Sequence, residues 1–357
     1  MTYSQFEVDR NDLNTSRLNE LPSPELGDGQ VRVRIDLFAL TANNITYGVV
    51  GERIGYWKFF PAEANWGLIP VWGFADVIES NHADVPVGDR LYGYFPMATE
   101  WILTPDRVQD ERLQDGAAHR AELPPVYNNY SRTLNEPHHK AEFDDDRALL
   151  MPLYATSYCL YDYVCANDYF NSDQVVITSA SSKTSIGCAY AFKSDDKCTT
   201  VGLTSEGQLD RVNALNLYDE VYTYSDYKRI DAQKMTTIID MSGNGDVLSK
   251  LHEYLGDSMA KTSNVGLTHY ESNTMGPHFI RERSEMFFAP GHMQRRAKEW
   301  GPGVFGERAF KFWLESAVAS RSWLTIDKHE GADSIAAVFT DVLDGKLPAD
   351  HGVVVEL

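Results

Sequence analysis

The stretch Ser179-Ala180-Ser181-Ser182-Lys183-Thr184-Ser185 is the part of this 357-residue chain best suited to hold a small anion. The β-branched run Val175-Val176-Ile177 precedes it, the mark of a strand buried on both faces. Ile186, Ala189 and Tyr190 follow on one side of an expected helix. Strand, tight polar turn and helix together aim backbone N–H groups and the positive end of a helix dipole at a pyrophosphate. Any βα turn could look like this, so the elements around it must decide.

Those elements alternate. Cys198–Leu203 reads as a second strand, Gly207–Asn216 as a helix, and Asp219–Tyr222 as a third strand. Thr236–Met241 reads as a fourth strand, Val247–Leu255 as a helix, and Asn264–His269 as a further strand. Strands and helices alternating at this spacing imply an α/β class with a parallel, doubly wound sheet. The second strand ends Val201-Gly202-Leu203-Thr204-Ser205, with hydroxyls where NAD-specific folds carry an acid; Glu206 comes just after. Lys183 and Arg211 are the cations within reach of a ribose phosphate, which favours NADPH over NADH.

Composition narrows the partners. Hydrophobic residues at 43% and charged residues at 24% describe an ordinary globular chain. A formal charge of −20 argues against nucleic acid or an anionic membrane, since both demand a basic face. The N-terminus has no signal-peptide h-region, and no apolar run is long enough to span a bilayer. Cys159, Cys165, Cys188 and Cys198 form no CxxC, which suits reduced thiols in a cytoplasmic protein. His138-His139 beside Asp144-Asp145-Asp146 is a poor metal site, because adjacent histidines point apart.

Before residue 105 the pattern is all-β. In Val31–Leu37 the apolar residues Val31, Val33, Ile35 and Leu37 alternate with Arg32, Arg34 and Asp36, a half-buried strand. A polar loop, Thr41–Gly48, follows, then a strand over Pro70–Glu79. Val85–Phe95 turns at Gly88-Asp89, and Thr99–Leu103 is expected to pair with it. Asp106–Ala118 reads as loop and short helix. Leu123–His139, with Tyr127-Asn128-Asn129-Tyr130, reads as an ordered surface insertion or as a segment reaching substrate. Phe305–Leu314 and Ile335–Leu343 read as amphipathic helices and Gly352–Leu357 as a closing strand.

In this order the motifs resemble the medium-chain dehydrogenase/reductase superfamily. They are GxVxVRxxxxxL at Gly29–Leu40, VGDRLYGYF, TSYCLYDYV at Thr156–Val164, DEVYTYSD at Asp219–Asp226 and IIDMSGNG at Ile238–Gly245. Zinc-dependent members place a Cys after the first strand and Gly-His-Glu later; here Ala39–Asn44 and Trp72-Gly73-Phe74-Ala75 offer neither thiolate nor imidazole. The likeness is to the zinc-free quinone and enoyl reductases, in a subgroup whose cofactor turn has serines at 179, 182 and 185 in place of glycines. It implies a GroES-like domain at 1–145 and 290–357, and a Rossmann-type domain at 146–289.

The resemblance further implies hydride transfer from NADP(H) to an activated C=C or a quinone. A carbonyl reductase and a non-catalytic nucleotide-binding relative remain the alternatives. Without zinc, a hydroxyl or amide must take the developing negative charge, and Asn44, Tyr47 and Tyr56 stand where that loop lines the cleft. The cofactor set is Thr156, Ser179, Ser181, Ser182, Lys183, Thr184, Thr204, Ser205, Arg211, Tyr224, Ser242 and Gly266, with no metal. Tyr56, Trp57, Phe59, Phe60 and Trp66 could wall an apolar pocket, fill a core or form an interface. Relatives dimerise through the sheet edge, here near Gly266–Tyr270 and Met286–Pro290, so a homodimer is expected.

Overall fold

The structure, a computed structural model, describes residues 1–195, 197–265 and 276–357. Contacts divide the chain into two units, Met1–Leu149 with Leu324–Leu357, and Leu150–Trp323. Each unit has its own core, and the division falls inside the helix Asp144–Ala166.

The first unit is built on an antiparallel sheet around the strand Val31–Leu40, which pairs with Pro70–Ser80, Glu100–Leu103 and His351–Glu356. Val31, Val33 and Ile35 are fully buried as expected, while of the residues between them Arg34 is exposed and Arg32 is buried. A register shift falls between Ile35 and Leu37, and Leu37 through Leu40 are all buried. Gly73 faces that irregularity; a Cβ there would lie 2.1 Å from the Leu37 carbonyl oxygen, so only glycine fits. Glu100–Leu103 pairs with Val31–Arg34 and not with Arg90–Pro96, correcting the expected hairpin. The hairpin of Thr2–Asp9 with Asp12–Pro22 had no counterpart in the sequence reading.

Two further corrections concern this unit. Thr41–Gly48 is no loop: Ala42–Val49 is a helix capped by Thr41. The region after 105 adds strands to the sheet, with Arg112–Asp115 pairing with Asn129–Arg132 and that strand with Arg90–Pro96. Tyr127 and Tyr130 are buried, so the segment is core and not a surface insertion.

The second unit holds a six-stranded parallel sheet. Its order is Glu220–Thr223, Thr199–Thr204, Gln174–Ile177, Thr236–Asp240, Met259–Asn264, Ser284–Met286. In chain order that is 3-2-1-4-5-6, the Rossmann arrangement expected. The fifth strand ends at Asn264, where the sequence reading began it; Val265 lies beyond it, and residues 266–269 of the expected strand, with Gly266, lie outside the described residues.

The helices Ala289–Trp300 and Val304–Ser320 also belong to this unit, whereas the sequence reading gave residues from 290 to the first domain. Their contacts explain it: Phe305 and Phe312 pack on Tyr158, with ring centroids 5.4 and 5.5 Å apart, and Arg296 pairs with Asp162 at 2.6 Å. Amphipathic periodicity announces a buried face but not what buries it. Among the described residues, no helix is long and apolar enough to cross a membrane.

Candidate active site

In the second unit the chemistry gathers at the carboxyl end of the first strand. Ser179 takes a left-handed backbone with φ of 48°, a conformation that costs a non-glycine residue about 1–2 kcal/mol. Tyr224 offsets it: the Ser179 N–H donates to the Tyr224 hydroxyl at 2.8 Å. Ser182 then caps the helix Lys183–Lys193, its hydroxyl accepting from the Ser185 N–H at 3.2 Å. The same hydroxyl donates to Ser185 Oγ at 2.9 Å, and Ser185 Oγ donates to the Thr178 carbonyl at 2.9 Å.

The hydroxyls of Ser182 and Ser185 therefore face the protein and leave the outer face of the turn to backbone, Ser181, Lys183 and Thr184. These last three side chains are half-buried, and the first helical turn holds no acid. Close packing falls at Gly187, where a Cβ would lie 2.4 Å from Ser157 Oγ. The cradle fits an anion such as a dinucleotide pyrophosphate.

The other expected cofactor residues divide. Thr204 is buried at the end of the second strand, Ser205 is exposed beyond it, and Arg211 is half-buried on the next helix. Thr156 donates its hydroxyl to the Pro152 carbonyl within its own helix, at 3.1 Å. Ser242 donates to Asp240 at 2.7 Å, and its N–H donates to Thr178 Oγ1 at 3.1 Å.

Asp240 escaped the sequence reading. Its buried carboxylate accepts from Thr178, Ser242 and the Gly243 N–H, tying the ends of the first and fourth strands together. Burial raises its pKa despite those hydrogen bonds. Asp240 followed two residues later by Ser242 was the available signal.

The four thiols are free and weakly acidic; burial pushes Cys188 and Cys198 up to about 12. Among the described residues, no group of three or more His, Cys, Asp or Glu side chains could hold a metal ion.

In the first unit the aromatic side chains of five elements converge. Tyr47, from the helix Ala42–Val49, meets Tyr56 at 4.5 Å between centroids and Tyr94 at 5.7 Å. Trp72 and Tyr94 are direct cross-strand partners with rings 5.1 Å apart. Tyr127 closes the group, 4.7 Å from Tyr94, with its hydroxyl 3.0 Å from that of Tyr56. The Asn43 amide donates to the Tyr47 hydroxyl at 2.7 Å.

Burial raises the pKa of Tyr47, with the neighbouring Tyr56 adding to it, and burial raises Tyr56, Tyr94 and Tyr127 as well. All four phenols thus keep their protons at neutral pH. They are hydrogen-bond donors, and Tyr47 is a weaker acid than an ordinary phenol.

Asn44 does not join them. Its Oδ1 accepts from the Thr41 N–H at 2.8 Å and the Thr41 hydroxyl at 3.0 Å, and its Nδ2 donates to the Pro70 carbonyl at 2.9 Å. The amide is thus engaged by the helix cap and the neighbouring strand, and its hydrogen bonds do not join the phenols. Of the expected aromatic wall, Trp57, Phe59 and Phe60 are core, while Trp66 is half-buried with Arg17 over its ring at 4.1 Å.

Arg120, missed in the sequence, anchors the group. Fully buried, it bonds Asp115 at 2.6 Å, the Tyr130 hydroxyl at 2.9 Å and the Tyr127 carbonyl at 2.8 Å.

Comparison with known proteins places this geometry. The model of a family described as a protein of unknown function (DUF2855) matches residues 38–348. No curated protein matches the sequence. Among solved structures, CurA from Vibrio vulnificus in complex with NADPH is similar at 15% identity and a TM-score of 0.65, over 99% of this chain and 98% of that one. A quinone oxidoreductase from Coxiella burnetii is similar at 13% identity and a TM-score of 0.59, over 100% of both chains. A mutant enoyl thioester reductase from Candida tropicalis is similar at 10% identity and a TM-score of 0.60, also over 100% of both. At such identities the likeness is one of fold: a GroES-like unit with a Rossmann unit.

Proposed function

We propose, from the premise that the chain belongs to the DUF2855 family and has the fold of these reductases, that it is a zinc-independent, NADPH-dependent reductase of an activated C=C bond or a quinone. The observation that carries this reading is the Ser-capped turn Ser179–Ser185 at the head of a Rossmann-ordered sheet. Thr204 and Ser205 at the end of the second strand leave room for a 2′-phosphate, with Lys183 and Arg211 as its cations. The NADPH of the CurA complex and the printed activities of the other two structures point the same way. The reading includes a subgroup marked by its Ser-rich turn and a homodimer at the outer strand Ser284–Met286, which pairs on one side only among the described residues.

A reduced nicotinamide, when bound, supplies the hydride. In the protein, the Ser182-capped helix and Lys183 hold the phosphates, and Tyr224 fixes the turn through Ser179. The Tyr47 hydroxyl, oriented by the Asn43 amide, would donate a hydrogen bond to the carbonyl oxygen of an enone or quinone and could supply a proton to the reduced product.

Thermal unfolding with NADPH, with NADH and without ligand tests the cofactor half. Stabilisation should follow RT ln(1 + [L]/Kd) and be larger for NADPH. Loss of NADPH absorbance with a quinone or an enone tests the reaction. No stabilisation by either nicotinamide would refute the reading.

A further inference from the structure

Trp72 and Tyr94 face each other across paired strands, and both carry polar tips inside the aromatic group. Neither the Trp72 indole N–H nor the Tyr94 hydroxyl is reached by solvent, and neither has a hydrogen-bond partner among the described residues. The Tyr47 hydroxyl sits beside both, near enough to interact with each but outside good hydrogen-bond geometry. A buried donor poorly matched to its acceptor costs up to about 1–3 kcal/mol, so two at one place can gain from a better-placed acceptor.

The groups around them are neutral donors with one buried ion pair behind. The protonated phenols of Tyr47, Tyr56 and Tyr127 surround Tyr94, and the Arg120 guanidinium, paired with Asp115, lies beyond them. The Trp72 side chain is half-buried, while Tyr94 is fully buried.

We propose that Trp72 and Tyr94 are further catalytic residues whose N–H and O–H, with the Tyr47 hydroxyl, form a donor pocket for the oxygen anion of a planar, conjugated carbonyl substrate. The inference rests on the reductase reading for its reaction but not for its binding. Neutral donors suit a delocalised oxygen anion, whereas a carboxylate or phosphate calls for a guanidinium fork. The walls are aromatic rings, which receive a flat π system by offset or edge contacts. A quinone or an aryl enone meets both demands; an aliphatic acyl chain meets only the first.

The probe is 4-nitrophenol, a flat ring whose ionised form is yellow, titrated without nicotinamide into the full chain. Wild type should bind the ionised form and ionise the probe at lower pH than water does. Tyr94→Phe and Trp72→Phe should each weaken that binding by about tenfold or more. Tyr94→Phe removes a hydroxyl with no partner, so its melting temperature should hold or rise. Preference for the neutral phenol, or unchanged affinity in both variants, would overturn the proposal. So would a lower melting temperature for Tyr94→Phe with probe affinity intact, which would make the hydroxyl a packing group. Probe binding that persists in a protein that ignores NADPH would support the pocket while sinking the reductase.

Discussion

Replacing Arg120 by methionine isolates what holds the phenol group in place. The side chain of Arg120 is 1% exposed, as is that of Asp115, and its guanidinium makes three hydrogen bonds of 2.6 to 2.9 Å. Phe59 and Phe60 lie beneath it at 5.3 and 5.2 Å. Methionine keeps much of the volume but leaves the Asp115 carboxylate buried without its cation. Breaking one side of such a pair costs about 3–5 kcal/mol. Asp115 also accepts from the Thr104 and Ala117 N–H groups, so it cannot swing away to solvent without losing those bonds. Urea unfolding of Arg120→Met should lose about that amount, and Arg120→Met with Asp115→Asn should recover part of it. Because Arg120 holds the Tyr127 carbonyl, the single variant should also weaken 4-nitrophenolate binding while sparing the nicotinamide. A loss below about 1 kcal/mol, in the range of an exposed pair, would refute the claim that this ion pair is buried and structural.

Three further outcomes are expected. Tyr47→Phe should lower kcat by about 10²-fold or more with cofactor affinity unchanged, and unchanged turnover would return Tyr47 to a packing role. Lys183→Ala should weaken NADPH by about tenfold and NADH much less; tighter NADH binding in wild type would reverse the cofactor assignment. His252 is held neutral by burial, helped by Arg283, with its pKa pushed down to about 4. Its contribution is whole above the unfolded value near 6.5 and fades as pH falls toward 4, a loss of about 2 kcal/mol by pH 5; His252→Gln should flatten the stability slope between pH 7.5 and 5, and an unchanged slope would clear His252 of that role.

The parallel sheet could be read from the chain because its central strands, Gln174–Ile177, Thr199–Thr204 and Thr236–Asp240, are short, rich in β-branched residues and almost wholly buried. The first unit resisted reading for three separate reasons. Asp12–Pro22 is an edge strand with no buried residue, so it carries no apolar alternation to detect. Ala42–Val49 holds two asparagines and a threonine, poor helix formers; only the spacing of Thr41 to Asn44 announced the cap, and that spacing also explains why the Asn44 carbonyl oxygen bonds Thr41. The segment around Tyr127 looked like a polar insertion because its anchor, Arg120, is a residue type seldom found fully buried. Tyr47 and Tyr56 were found through the family likeness; Trp72 and Tyr94 become visible only once two strands are paired in register.

The serine turn shows how an anion cradle can persist without the usual glycines. Glycine is favoured there because it accepts a left-handed backbone and lets the helix approach the strand. Ser179 takes the left-handed conformation anyway, and the Tyr224 hydroxyl stabilises it from a strand two positions away in the sheet. Ser185 replaces open space with a hydrogen bond to the Thr178 carbonyl, and Gly187 one half-turn later supplies the close approach to Ser157. The rigidity that glycine lacks is thus built in by hydroxyls that point inward, and the outward face is left to backbone, Ser181, Lys183 and Thr184. On this argument Tyr224→Phe should loosen the turn and weaken nicotinamide binding more than Ser185→Ala, because it removes the one bond that offsets the strained φ of Ser179.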